Sequence, residues 1–177
     1  MLHPPLTAVV ADPRRGSRTA LAAAELTRLL GRHLDLHPPG LIDLATLGPA
    51  VLDPDHAGAS RAVAAIRASR VLVVAGPVHN GTCPEILRTF LRRIGPDGLR
   101  GVSAVALPVT TSWLDSPSVD TVILPLLSEL GADCPAPSLF LHEHDIAYGR
   151  NPNGSLRRWV AHHGGRLQPR VIAESGR

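Results

Sequence analysis

Val71-Leu72-Val73-Val74-Ala75 is apolar at every position. A strand that is wet on one face alternates apolar with polar residues. An unbroken apolar run is the pattern of a strand covered on both faces, as at the centre of a parallel sheet. Gly76-Pro77 is expected to break it. Parallel strands need long crossovers, usually helices, and the rest of the chain supplies them.

Leu6–Ala11 reads as a short strand, ended by Asp12-Pro13-Arg14-Arg15-Gly16-Ser17. From Arg18 the apolar residues Leu21, Ala22, Leu26, Leu29 and Leu30 fall at helical spacing, with Ser17 as N-cap and Gly31 as the stop. Leu41–Leu44 is a second strand and His56–Ser69 a helix. A loop runs to Pro84, and a helix follows through Ile86, Leu87, Phe90, Leu91 and Ile94. Val102–Leu107 is a strand ending at Pro108. Val119–Leu130 is a helix in which Pro125 either makes a kink or lies near the start. Ser138–His142 is a fifth strand and Ser155–Gly164 a terminal helix. The last ten residues carry no pattern and are expected to fray. Strands alternating with helices indicate a single α/β domain, residues 1–177, built on a doubly wound parallel sheet.

Composition removes several functions. All 18 basic residues are arginine. Without lysine there is no Schiff-base lysine for pyridoxal phosphate and no Walker A loop. The arginines are scattered, and two Phe, two Trp and one Tyr offer bases little to stack on, so no nucleic acid is expected as partner. No apolar run reaches the roughly 20 residues of a membrane span, and no secretory signal is visible, so no membrane is expected. Two cysteines make no disulfide framework, which suits the cytoplasm. The Ala, Gly, Pro and Arg bias suggests a GC-rich bacterial genome.

In a doubly wound sheet, ligands bind beyond the carboxyl ends of the strands. Three loops qualify: Asp12–Ser17, Gly76–Cys83 and Pro108–Pro117. The first suits an anion, because it joins arginines and hydroxyls to a helix start whose dipole favours negative charge. The plainer reading is a capped turn with a solvated arginine.

Asp12-Pro-Arg-Arg-Gly-Ser-Arg-Thr19 resembles the first loop of NADPH-dependent FMN reductases, Gly-Ser-Pro-Arg-x-x-Ser-x-Thr. Ser69–Leu91 is similar to their third strand, flavin loop and following helix. Leu99-Arg100-Gly101 with the strand after it, and Pro125–Ala132, resemble two later segments. The similarity covers about residues 6–146 and is nearest to the branch that supplies reduced flavin to two-component monooxygenases.

The resemblance implies a flavodoxin-like fold with a five-stranded sheet in order 2-1-3-4-5, FMN as bound cofactor, NADPH or NADH as reductant, and a homodimer or homotetramer. It implies that Arg14, Ser17 and Thr19 hold the phosphate. Pro77, Val78, His79 and Asn80 would line the isoalloxazine ring, and Thr110, Thr111 and Ser112 its pyrimidine end. The chain departs from the family pattern at three places. Ala11-Asp12 replaces Gly-Ser, His79 replaces the aromatic after Pro-x, and Thr110-Thr111-Ser112-Trp113 replaces Gly-Gly.

Asp12 either opposes the phosphate, with Arg15 offsetting part of the repulsion, or caps its own loop through an Asx-type turn. No protein acid or base is required for hydride transfer by a flavin, so no catalytic residue is assigned. His142-Glu143-His144-Asp145 has the residue types of a metal cluster but reads as a solvated loop, and no metal is expected. Cys83, four residues after His79, reads as a loop filler rather than a thiol nucleophile. Self-association is expected through Phe90, Leu91 and Ile94. The alternative to a reductase is a protein of the same fold that has lost this activity and acts as a non-flavin enzyme or a binding partner.

Overall fold

The computed structural model describes residues 5–53, 55–79, 82–111, 123–147 and 152–168. Five strands form one sheet: β1 (Leu6–Val10), β2 (Gly40–Asp43), β3 (Val71–Val78), β4 (Ser103–Thr110) and β5 (Leu141–His142). The order is β2-β1-β3-β4-β5 and every pairing is parallel. This is the expected flavodoxin-like arrangement, with the 71–75 run at its centre.

Alternation along the strands divides the core in two. Val9, Leu72, Val74, Ala104 and Ala106 face one side, where they meet helices α3 (Ala57–Arg67), α4 (Glu85–Arg92) and α5 (Ile123–Glu129). Ala8, Val10, Val71, Val73, Val105 and Leu107 face the other, under α1 (Arg18–Leu34) and α7 (Pro152–His163). Val73 is wholly buried, as a central strand residue must be. Two one-turn helices, α2 (Leu44–Leu47) and α6 (Glu143–Ala147), stand at the ends of β2 and β5.

Several boundaries differ from the sequence reading. Gly76-Pro77 does not break β3. The strand continues to Val78, pairing Gly76 with Pro108, Pro77 with Val109 and Val78 with Thr110. The reason lies in the direction of the missing N–H groups. The Ala75 carbonyl accepts from Ala11 on the β1 side, so Pro77, two residues on, turns its nitrogen to the side where β1 has already ended. The Ala106 carbonyl accepts from Leu139, so Pro108 likewise turns toward the edge segment and away from β3. Both prolines leave the central ladder intact, and β4 runs past Pro108 to Thr110.

Gly31 does not stop α1, which runs to Leu34 and closes on Asp35 in the left-handed conformation (φ 54°). A Cβ at Gly31 would lie 3.0 Å from the Leu36 carbonyl and 3.3 Å from the His37 ring. This glycine lets the chain fold back across the helix end. The fifth strand is shorter than expected. The Ala104 amide donates to the Asp133 carbonyl, the Asp133 amide to Val102 and the Leu139 amide to Ala106, but Pro135 and Pro137 have no N–H to complete a ladder. Pro125 is the third described residue of α5. The expected start of this helix, 119–122, lies outside the described residues.

Phe90, Leu91 and Ile94 are buried within the chain, in the core on the α4 side. They therefore supply no exposed seam for self-association, contrary to the sequence expectation.

Candidate functional site

A cleft of about 570 Å³ opens at the carboxyl end of the sheet, between the loop after β1, the end of β3, the start of α4 and Glu143 after β5. Its walls combine apolar groups, Pro77, Pro84 and Ile86, with the polar side chains of Asp12, Arg14, His79, Glu85 and Glu143. Apolar surface with polar groups converging on it, in a volume of this size, suits a small-molecule site.

The loop after β1 is organised around Asp12. Its side chain is buried, 1% exposed. One carboxylate oxygen accepts from the Arg14 amide at 2.9 Å and from Arg14 Nε at 3.3 Å. The other accepts from the Thr19 hydroxyl at 3.1 Å. This is the Asx-type turn. Burial opposes ionisation, but the bonds from Arg14 and Thr19 and the Arg14 charge outweigh it, so the carboxyl lies below its ordinary range.

Ser17 caps α1, its hydroxyl accepting from the Ala20 amide at 3.1 Å. Gly16 turns the chain into the helix with φ 61°, a value that favours glycine. The amides of Arg18 and Thr19, in the first turn, are beyond the reach of any intrahelical carbonyl.

Glu143 closes the other side. One of its oxygens lies 3.4 Å from Arg14 Nη2 and 3.0 Å from Arg18 Nη1. Arg15 points elsewhere, donating to the carbonyls of Ala45 and Thr46 on α2. It does not offset Asp12, as the sequence reading had allowed.

The expected site residues therefore separate into groups. Arg14, Pro77 and His79 line the same cleft. Ser17 and Thr19 lie behind the loop, their hydroxyls engaged within it. The Val78 side chain is in the core, so only its backbone stands at the cleft end of β3. Thr110 is buried at the end of β4, and the Thr111 carbonyl lies 2.8 Å from His142 Nε2. Asn80 and Ser112 lie outside the described residues. His79 is exposed, and its backbone forms a two-way bridge with Thr82 that pins the loop leading to α4.

Glu143, Glu85 and Ile86 were not singled out from the sequence as members of this site. The strand-end rule could have found Glu143, which directly follows β5. The His142 and Glu143 side chains are engaged in different directions. His142 Nδ1 accepts the His144 amide at 3.2 Å, while Glu143 is directed to the arginines. Among the described residues no group of three possible metal ligands converges. Cys83 is buried in the core on the α4 side. Cys134 has its thiol pushed up to about 11, by burial first and by the Asp133 charge second, so it stays protonated.

The sequence profile of NADPH-dependent FMN reductases matches residues 4–143. The chain belongs to this family. It is accordingly an NAD(P)H-dependent flavin oxidoreductase with FMN as cofactor. No curated protein matches it closely. Among solved structures, the apo form of an NADH:FMN oxidoreductase superposes with a TM-score of 0.83 at 23% identity, over 93% of this chain and 90% of the other. An oxidoreductase from Corynebacterium diphtheriae gives 0.79 at 22% identity, over 94% and 96%. General stress protein 14 from Treponema denticola, in complex with FMN, gives 0.61 at 15% identity, over 93% and 100%. At these identities the likeness concerns the fold.

The residues present fit a flavin. Pro77, Pro84 and Ile86 offer apolar surface for a planar ring. The guanidiniums of Arg14 and Arg18, with the first-turn amides of α1, are donors that a phosphate monoester accepts. Asp12 and Glu143 place two carboxylates beside these donors. Among the described residues, no helix is long and apolar enough to cross a membrane.

Proposed function

We propose that the cleft between the β1–α1 loop and the β3–α4 loop is the FMN site. The ring would rest against Pro77 and His79, and its phosphate would point to Arg14, Arg18 and the N-terminus of α1. When bound, FMN accepts a hydride from NADPH or NADH and passes the electrons on. The chain's part is to hold and orient. The β3 end and the bridged His79–Thr82 pair would give a floor, and α4, starting at Glu85, would border one edge. Thr110, Thr111 and Ser112, at and beyond the end of β4, are assigned to the pyrimidine end, and Asn80 to the ring edge beside His79. Ser17 and Thr19 hold the loop's shape rather than the ligand.

The observation that carries this reading is the meeting of Arg14, Pro77 and His79 in one cleft, in a chain of this family. The test is direct. FMN added to purified protein should show quenched fluorescence, and NADPH or NADH oxidation should depend on added FMN. Absence of both would favour the alternative, a protein of the same fold without reductase activity.

Reduced FMN would leave for a flavin-dependent monooxygenase, in a bacterial cytoplasm. The open character of the cleft, with His79 exposed and Arg14 two-thirds exposed, suits a flavin that comes and goes. A homodimer or homotetramer remains the family's implication. Phe90, Leu91 and Ile94 do not mediate it.

A further inference from the structure

We propose that Asp12 and Glu143 act as built-in anions at the phosphate end of the cleft, so that the site discriminates little between FMN and the phosphate-free flavin riboflavin. The inference rests on the flavin reading above.

The side-chain donors nearest the cleft are already turned to carboxylates, although the first-turn amides of Arg18 and Thr19 in α1 remain open. The Arg14 amide, Arg14 Nε and the Thr19 hydroxyl all go to Asp12. One outer nitrogen of each guanidinium, Arg14 Nη2 and Arg18 Nη1, goes to Glu143. Two guanidiniums face two carboxylates, and Arg15 is turned away onto α2. The cluster is neutral before any ligand arrives. Around the whole cleft, the described lining residues carry three carboxylates, Asp12, Glu85 and Glu143, against one arginine.

A phosphate dianion entering here meets two costs. It must take donors from carboxylates that already hold them, and it must sit beside those carboxylates. Like charges this near repel, most strongly where water is excluded. Asp12 is the harder to displace, being buried with three bonds. Glu143, with its side chain 20% exposed, can swing out. A flavin ending in a neutral hydroxyl meets neither cost and keeps the ring contacts with Pro77, Pro84 and Ile86.

The test is a pair of dissociation constants, for FMN and for riboflavin, from quenching of flavin fluorescence on the full chain. Wild type should bind the two within about tenfold of each other. Asp12→Ser and Glu143→Gln should each tighten FMN and raise its preference over riboflavin by about tenfold, one lost charge repulsion being of that order. Riboflavin affinity should change little. Glu143→Gln alters a partly exposed side chain and keeps the proposal testable where Asp12→Ser fails to fold. Wild type preferring FMN by much more than tenfold overturns the proposal and leaves the flavin reading standing. So does an unchanged preference in a folded variant. No binding of either flavin by wild type overturns both.

Discussion

Asp12 shows how one carboxylate can be structural and electrostatic at once. It ties the end of β1 to the first turn of α1 through Arg14 and Thr19. Asp12→Asn keeps the shape but loses the charge-assisted bonds, and should cost about 1–3 kcal/mol of folding stability. The pH dependence has a definite sign. The folded carboxyl is held below its ordinary range, because its hydrogen bonds outweigh its burial. Its contribution is therefore present above the ordinary value, near about 4, and is lost as pH falls through the folded value. Urea titrations should show the gap between wild type and Asp12→Asn constant near neutrality and shrinking below about pH 4. A gap that ignores pH would remove the charge from this account. Ser17 makes a simpler case. Ser17→Ala leaves the Ala20 amide without its cap and should cost about 1 kcal/mol.

At the scale of elements, the chain's hydrophobic periodicity carried most of the fold. The 71–75 run, the helix through Ala22, Leu26 and Leu30 and the Ser17 cap lie where the sequence places them, while Leu21 of the same pattern is exposed. What was not legible was the direction of individual backbone groups. Gly76-Pro77 and Pro108 look like breakers in one dimension, yet each proline turns its missing N–H away from the central ladder. Gly31 looks like a stop but serves a close approach to Leu36 and His37. Gly31→Val would drive a branched side chain into a backbone carbonyl that cannot swing aside. It should destabilise the fold by about 1–3 kcal/mol despite the removal of a helical glycine. A variant as stable as wild type in thermal melts would show that the 35–38 turn yields. The site was legible to the same degree. Sequence placed Arg14, Pro77 and His79 at the strand ends. It did not pair Glu143 with the arginines, because a contact across 125 residues to Arg18 leaves no local pattern, although the strand-end rule points to its position.

The whole molecule extends beyond the segment that matches the family. That match ends at residue 143, yet α7 packs its Leu156, Trp159 and Val160 onto the α1 face, and Leu167 follows them into the same core. Leu156 and Leu167 are fully buried, and Trp159 and Val160 nearly so. Burying an aliphatic or aromatic side chain is worth roughly 1.5–3 kcal/mol, so these four contribute on the order of 6–12 kcal/mol before the entropy of ordering the helix. That is comparable with the roughly 5–15 kcal/mol total stability of a domain. The helix thus shares one core with β1 and α1, which flank the cleft. A chain ending at Ala147 should lack a cooperative thermal transition and bind hydrophobic dye. Trp159→Ala should cost about 3–5 kcal/mol. Trp159→Phe is the informative companion. The indole N–H is buried without a hydrogen-bond partner among the described residues, an arrangement that costs energy on its own. Phe keeps most of the apolar contact and removes that donor, so Trp159→Phe should lie within about 1 kcal/mol of wild type. A truncated chain that melts cooperatively at the wild-type temperature would show that α7 is an appendage, and that residues 5–147 alone carry the fold.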